Sequence, residues 1–308
     1  MNTTTTKKTT RKRTLKTFQN KEPMVEYASS PQANLRELVR QHVATTKAKV
    51  SVVLRTTDKE LADGTISPCL LPPDLREAIR SEQLPVYDKA LDNIEKRMVS
   101  ALKHVPIYQH FLSKVYGVGT IAAAYLIAFV DINRCMKVSQ LQRYAGLAVI
   151  DGRLERMQAK EVRKYNPALR TKLYTAMNSM WRNAAKKTAA APLGSTTKYL
   201  DIWRGKKQGF ESTGRKGGHS AGWHVAGRVL LEDLYIVWRT LEGLDVWPSY
   251  HAAQMGFYHG GKVCVNGGKK LTLDEALSIV GDTGAKPAST PAEDLQVDPL
   301  VENEMEAL

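Results

Sequence analysis

The sequence predicts a mainly α protein: a helical domain with a long heptad helix and a helix-hairpin-helix-like element, preceded by a small irregular α+β region. Two observations support this fold class. Apolar residues recur at helical spacing over several stretches, and glycine or proline stands at the ends of those stretches. The stretches are 84–105, 107–115, 121–130, 138–148, 167–187 and 223–241. With 43% hydrophobic residues, a chain of 308 residues can bury one or two cores.

Composition shifts divide the chain into six predicted parts. Both ends are polar and charged, so we expect them to be disordered. The parts are a basic tail (1–22), a small irregular N-terminal region (23–83), the heptad helix (84–106), a helical domain (107–242), a small C-terminal appendage (243–280) and an acidic tail (281–308). Within the second part we expect a helix over 34–43, a β-rich run over 50–54 and a short helix over 74–80.

The heptad helix carries a regular apolar stripe. Leu84, Tyr87, Leu91, Ile94, Met98, Ala101 and Val105 follow one another at alternating spacings of three and four residues. Pro85 is expected near the first turn, and Pro106 lies just past the end. Such a stripe fits a coiled-coil seam that forms a homodimer through residues 84–105, or one face packed on the protein's own domain.

A two-glycine turn, Tyr116-Gly-Val-Gly-Thr120, joins two apolar runs that we interpret as helices. Glycine permits a positive φ, and the first N–H groups of a helix have no intrahelical acceptor. Together with the helix dipole and Lys114, this predicts a phosphate site at Gly117, Val118, Gly119 and Thr120. The alternative is a turn that only lets two core helices pack closely.

Charge indicates a polyanionic partner. The net charge is +14 and the pI is about 9.6, and the charges of residues 1–22 (+6) and 281–308 (−6) cancel, so the excess lies in the body. Asn166-Pro167 predicts the start of a helix to about Lys187, with a strongly basic beginning. The predicted DNA-binding side chains there, expected on the outside of the helix or just before it, are Lys160, Arg163, Lys164, Arg170 and Lys172.

Residues 188–222 are predicted to be loop-rich, with basic residues interleaved with Tyr199, Trp203 and Phe210. These aromatic side chains could stack on bases, or anchor the loop to the core. Further along, Val263 to Gly267 suggests a hairpin, and Thr272 with Glu275 predicts a capping box.

Nothing in the sequence indicates a cofactor. The three cysteines lie far apart without ligand spacing, and we expect Mg²⁺ only if an acidic site exists. No apolar run approaches the roughly 18 residues that a membrane span needs. We therefore expect a cytoplasmic, nucleoid-associated protein with no membrane partner.

The order of five segments resembles the C-terminal domain of insertion-sequence transposases of the IS-one-ten class. These segments are the heptad helix, Tyr116 to Ala124, Val138 to Ala148, Lys164 to Tyr174 and the helix 223–241. The resemblance covers residues 84–242. It implies a helical domain that handles DNA ends, and it leaves RNA as a further partner because known members are guided by a bridge RNA.

Two departures from the family concern catalysis. Gly146-Leu147 is followed by Asp151-Gly152 where the family has its nucleophilic Ser-Gly. The family's acidic RNase H-like domain should supply four acids for Mg²⁺, but only about 60 residues lie between the basic tail and the heptad helix. Asp58 is the one acid at a predicted strand end, and a simple turn role is favoured for it.

The sequence therefore predicts a transposase-related DNA-binding protein with an incomplete catalytic site; its catalytic residues are unknown. Two alternatives stay open. One is an active recombinase or nuclease that uses unfamiliar residues such as Ser195, Ser212 or Ser220. The other is a non-enzymatic assembly or regulatory protein built on the heptad helix.

Overall fold

The fold is known from a computed structural model, which describes residues 31–61, 64–150, 153–154, 164–188, 197–214, 216–249 and 267–281. These residues are mostly helical, which confirms the predicted fold class. The α-helices are α1 (Pro31–Thr56), α2 (Pro73–Leu102), α3 (Pro106–His110), α4 (Thr120–Phe129), α5 (Val138–Tyr144), α6 (Pro167–Thr188), α7 (Lys198–Ser212), α8 (Gly218–Leu241) and α9 (Leu273–Val280). Two antiparallel pairs of two-residue strands are β1 (Lys59–Glu60) with β2 (Ile66–Ser67), and β3 (Val149–Ile150) with β4 (Arg153–Leu154).

Helix α1 runs without a break to Thr56, so the β-rich run predicted over 50–54 is wrong. Valine favours strands only weakly, and its preference depends on the packing around it. Here α1 packs along α2, and Val52 is fully buried in the helix. Tertiary packing therefore outweighs the local preference of the valines.

Helix α2 is also longer than predicted, because the short helix at 74–80 and the heptad helix form one continuous element. Pro85 lies inside this helix instead of in its first turn. A proline in a helix interior costs about 3 kcal/mol, so packing against α1 has to compensate for it. The predicted stop is right, since α2 ends at Leu102 and Pro106 begins α3.

The C-terminal half of the heptad stripe is covered within the same chain. Ile94, Met98 and Val105 are buried in one apolar core, which α1 and α4 also join. This is the arrangement expected from packing of the stripe on its own domain. The homodimer through residues 84–105 stays a prediction.

Helix α8 lies at the centre of the core. Every residue from Val229 to Arg239 is buried, and the helix packs against α5, α6, α7 and α9. Its start at Gly218 corrects the predicted start near Trp223, and α7 corrects the predicted loop-rich stretch. The glycines of this stretch led to the wrong prediction of a loop. Gly205 and Gly209 lie within α7, where open space surrounds them.

A buried carboxylate joins α7, α8 and α9. The Lys198 ammonium and the Tyr199 hydroxyl each donate to Asp233 Oδ2 at 2.7 Å, and Lys198 also donates to the carbonyl oxygen of Val280 at 2.9 Å. Burial raises the pKa of Asp233 to about 6, against the opposing effect of Lys198 and Tyr199. This network fixes the last described helix to the core.

The raised pKa of Asp233 predicts a pH-dependent stability. The folded carboxyl titrates near pH 6, above its unfolded value near 3.8, so the folded state takes up a proton as the pH falls between these values. When the pH falls from 7 to 4, we expect the unfolding free energy of wild type to rise by up to about 3 kcal/mol relative to that of Asp233→Asn. Urea denaturation at both pH values measures this difference, and an identical difference at both would contradict it.

Candidate nucleic-acid interface

The two glycines of the turn have different surroundings. Gly117 has φ +82°, and a Cβ on it would lie 2.1 Å from Met180 Cγ and 2.8 Å from the Met180 backbone nitrogen. Gly119 has φ −69° and ψ 166°, and a Cβ there would meet nothing within 4 Å. Gly117 therefore allows α6 to approach the turn, as the packing interpretation expects, whereas Gly119 is exposed.

Gly119 is the N-cap of α4, and no side chain caps this helix. The first N–H groups of α4, from Thr120 onward, have no acceptor inside the helix because of its geometry. Lys114 is exposed at the end of a short 3₁₀ turn before the glycines, and Val118 is fully buried. In the predicted phosphate site, Lys114 and Gly119 are thus exposed, Gly117 and Thr120 are half-buried, and only Val118 is buried.

Helices α4 and α6 lie antiparallel. The turn before α4 contacts Met180, and one and a half turns into α4 the Tyr125 ring lies 4.5 Å from the Lys172 ammonium, measured to the ring centroid. Arg170 precedes Met180 by ten residues, or about 15 Å of helix. The glycine turn and the basic start of α6 are therefore at opposite ends of this helix pair.

Lys172 does not lie on the outer surface that the sequence suggested. Its ammonium is placed over the Tyr125 ring, and burial lowers the pKa of Lys172, with Glu95 opposing that shift. The Tyr125 hydroxyl is 2.7 Å from His42 Nδ1, and His42 Nε2 is 3.1 Å from Glu95 Oε1. Lys172 thus belongs to a polar cluster between α1, α2, α4 and α6.

Asn166 organises the start of α6, which confirms the predicted N-cap. Its side-chain oxygen accepts from the Leu169 N–H at 3.2 Å, and its side-chain nitrogen donates to the Tyr144 hydroxyl at 3.0 Å. Its backbone N–H donates to the Tyr144 carbonyl oxygen at 2.9 Å. Asn166 therefore ties the end of α5 to the first turn of α6.

Basic side chains from several segments meet near this joint. We call them the basic end: Arg36, Arg40, Arg134, Arg143, Lys164 and Arg170. Arg36 Nε donates to the Ala128 carbonyl oxygen at 3.2 Å, which brings α1 to the end of α4. Burial lowers the pKa of Arg36, and the positive charges of Arg40 and Arg134 lower it further, whereas Asp131 opposes the shift. Arg40, Arg134 and Asp131 therefore lie within electrostatic reach of Arg36.

The sequence identified only part of the basic end. Lys164 is exposed, and Arg170 is half-buried with its guanidinium 5.0 Å from the Tyr165 ring centroid. Arg36, Arg40, Arg134 and Arg143 were missed, since the first two lie about 100 residues before the last two along the chain. Lys160 and Arg163 lie outside the described residues.

The aromatic residues predicted for the stretch 188–222 mostly serve the core. Tyr199 is fully buried, Trp203 is nearly so, and Phe210 is half-buried. Trp203 Nε1 donates to the carbonyl oxygen of His219 at 3.2 Å, which ties α7 to α8. The anchoring interpretation is thus the one that holds for Tyr199 and Trp203.

The structure shows the surroundings of Asp58 and of two of the three serines considered for catalysis. Asp58 Oδ1 accepts from the Cys69 N–H at 2.7 Å and from Arg76 Nη1 at 2.9 Å, which lowers the pKa of Asp58 and holds the segment before α2. The Ser212 hydroxyl donates to the Gly209 carbonyl oxygen, and Ser220 is exposed in the first turn of α8. Ser195, Asp151 and residues 263–266 of the predicted hairpin lie outside the described residues.

A metal site is not found in the part of the chain that the structure describes, where no three His, Cys, Asp or Glu side chains group together as ligands. Asp58 Oδ1 accepts hydrogen bonds from Arg76 and from the Cys69 N–H. In the same residues, no helix is both long and apolar enough to cross a bilayer.

A comparison with protein families matches part of the chain to a family model. Residues 109–191 match the model of the Transposase IS116/IS110/IS902 family. The matched segment runs from α3 to just beyond α6, and so contains the glycine turn, α4, α5 and the whole of α6. This confirms the predicted transposase resemblance for that part of the chain and supports a transposase-related role. No curated protein matches the chain.

The contact between Gly117 and Met180 predicts an unequal response to substitution at the two glycines. Gly117→Ala combines a positive φ with a clash against helix backbone, so we expect it to lower the free energy of unfolding by about 2–4 kcal/mol. Gly119→Ser is the matched control, because serine is a good N-cap and has room there; its effect should stay within about 0.5 kcal/mol. Thermal and urea unfolding measure both, and equal losses would contradict the assignment.

Proposed function

We propose that this protein binds DNA as part of a transposase-related activity, and that the glycine turn and the basic end are its contact surfaces. Lys114, Gly119 and Thr120 contact the DNA at the turn, and Lys164 and Arg170 contact it at the basic end. In this proposal Gly117 and Val118 shape the turn, and Lys172 supports the helix packing. Lys160 and Arg163 keep their predicted role as contacts that precede α6.

The observation that carries the proposal is the charge of α6. This helix of 22 residues contains five basic residues and no acidic residue, and it lies in the segment that matches the transposase family model. A helix that only packed in a core would have no need to exclude acids from its outer face. An acid-free helix is expected where a phosphate backbone lies alongside.

The geometry agrees with a DNA segment that extends along α6. The distance of about 15 Å between the levels of Arg170 and Met180 corresponds to about four base pairs at 3.4 Å each. Thr175 is exposed between the levels of Arg170 and Met180, and Arg182 is exposed just beyond Met180. Neither side chain would repel a phosphate. Free N–H groups at the start of α4 would then meet a phosphate at one end, and guanidinium and ammonium groups would meet phosphates at the other.

We further propose that this part of the protein holds DNA without cutting it. Asp58 is used in holding its own segment, and no serine stands at the family's Ser-Gly position. Incubation with labelled DNA ends and Mg²⁺ tests this, since a covalent adduct or cleavage product would establish the recombinase alternative. An RNA guide, a homodimer and association with the nucleoid are further elements of the same proposal.

Arg170→Gln should weaken DNA binding more than the removal of one positive charge elsewhere on the surface does. The matched control is Lys89→Gln, which removes one exposed positive charge from α2, away from both contact surfaces. For Arg170→Gln we expect lower affinity and a salt slope, log K against log salt, reduced by about 0.9 for the lost phosphate contact. Fluorescence anisotropy over 50–300 mM salt measures it. Equal effects of the two substitutions would indicate only non-specific attraction.

Gly119→Asp and Gly119→Asn separate the charge from the shape of the turn. Both side chains are good N-caps and both fit the open space, so neither should destabilise the fold. Only aspartate adds a negative charge where the proposal places a phosphate, so Asp should lower DNA affinity at least several-fold relative to Asn at low salt. If the two variants bind DNA equally well, the N–H groups of α4 do not contact a phosphate.

A further inference from the structure

An exposed aromatic ring is held beside the basic end. Tyr144 is the last residue of α5, and 40% of its surface is accessible. Other tyrosines of this region are covered: Tyr165 is 7% exposed and Tyr125 is 2% exposed. A large, accessible ring is therefore a particular property of Tyr144 among these neighbours.

The hydrogen bonds of Tyr144 restrict its ring. The hydroxyl accepts from the Asn166 side chain at 3.0 Å, and the Tyr144 carbonyl oxygen accepts from the Asn166 N–H at 2.9 Å. The orientation of the Asn166 amide is itself set, because its oxygen accepts from the Leu169 N–H. The polar tip of the tyrosine is thus held by a hydrogen bond from Asn166 while the ring remains accessible.

The charges around this ring suit a nucleic acid. Arg143 precedes it in the chain, Lys164 lies two residues before Asn166, and Tyr144 is close enough to Arg36 to influence its pKa. Base stacking on aromatic side chains within a positively charged surface is the general mode by which proteins hold unpaired strands. A base inside an intact duplex has no free face for such a ring.

We propose that Tyr144 is a stacking platform for an unpaired nucleobase, so that the basic end binds DNA carrying a single-stranded extension in preference to blunt duplex. This inference rests on the proposed DNA-binding function and adds the structural class of the DNA. Arg143, Lys164 and Arg170 hold the phosphates that flank the stacked base. The hydrogen bonds from Asn166 keep the ring in place, which lowers the entropic cost of stacking.

The test compares a blunt duplex with the same duplex carrying a four-nucleotide extension, one base of which is 2-aminopurine. Wild type should bind the extended duplex more tightly, and stacking should quench the 2-aminopurine fluorescence. Tyr144→Leu keeps an apolar side chain but removes the aromatic face, so it should weaken binding of the extended duplex by about fivefold or more and abolish the quenching. Its affinity for blunt duplex should match that of Tyr144→Phe, which lacks the same hydroxyl.

Tyr144→Phe is the matched control for the hydrogen bond to Asn166. It retains the ring, so it should retain the quenching and most of the preference for the extended duplex. Melting temperatures of both variants establish that they fold. Equal binding of the extended duplex by wild type and Tyr144→Leu, while Arg170→Gln weakens both DNAs, would overturn the stacking inference and leave the proposed function standing.

Two other outcomes are decisive. If Arg170→Gln and Tyr144→Leu both leave binding of either DNA unchanged, the proposed function fails together with the inference. If an RNA extension of the same sequence binds more tightly than the DNA extension, and this binding requires Tyr144, the assignment of the strand to DNA is overturned.

Discussion

The antiparallel contact between α4 and α6 determines where every candidate contact residue lies. At one end Gly117 has no side chain, so the turn can approach Met180. Further along, Tyr125 lies beneath Lys172, and the end of α4 meets Arg36 and Gln32 of α1 through its carbonyl oxygens. A side chain at position 117 would separate the two helices, and both candidate surfaces would change their relative position.

Features that depend on neighbouring residues were predictable from the sequence. The N-cap at Asn166, the capping box at Thr272 and the end of α2 before Pro106 are local, and all three are present. Features that depend on distant residues were not. The valines of α1 and Pro85 of α2 stay helical because the two long helices pack together, which no single segment reveals.

The candidate interface shows the same division. The glycine turn and the basic start of α6 could be recognised from adjacent residues, but their placement at opposite ends of a helix pair could not. The basic end brings Arg36 within electrostatic reach of Arg134 and of Tyr144, which lie about 100 residues further along the chain. Sequence also suggested Lys172 for the surface, because helical periodicity alone does not show that α4 covers that side of α6.

The proline within α2 has a mechanical consequence. Pro85 lacks an N–H, so the carbonyl oxygen of Ser81 has no intrahelical donor four residues later, and the ring disfavours a straight helix. On the N-terminal side of Pro85, Leu70 is 98% exposed. The segment before α2 is held there by the contacts of Asp58 and Arg80 rather than by the core. The end of the α1–α2 pair on the N-terminal side of Pro85 is therefore joined to the core through a helix that has one backbone hydrogen bond fewer.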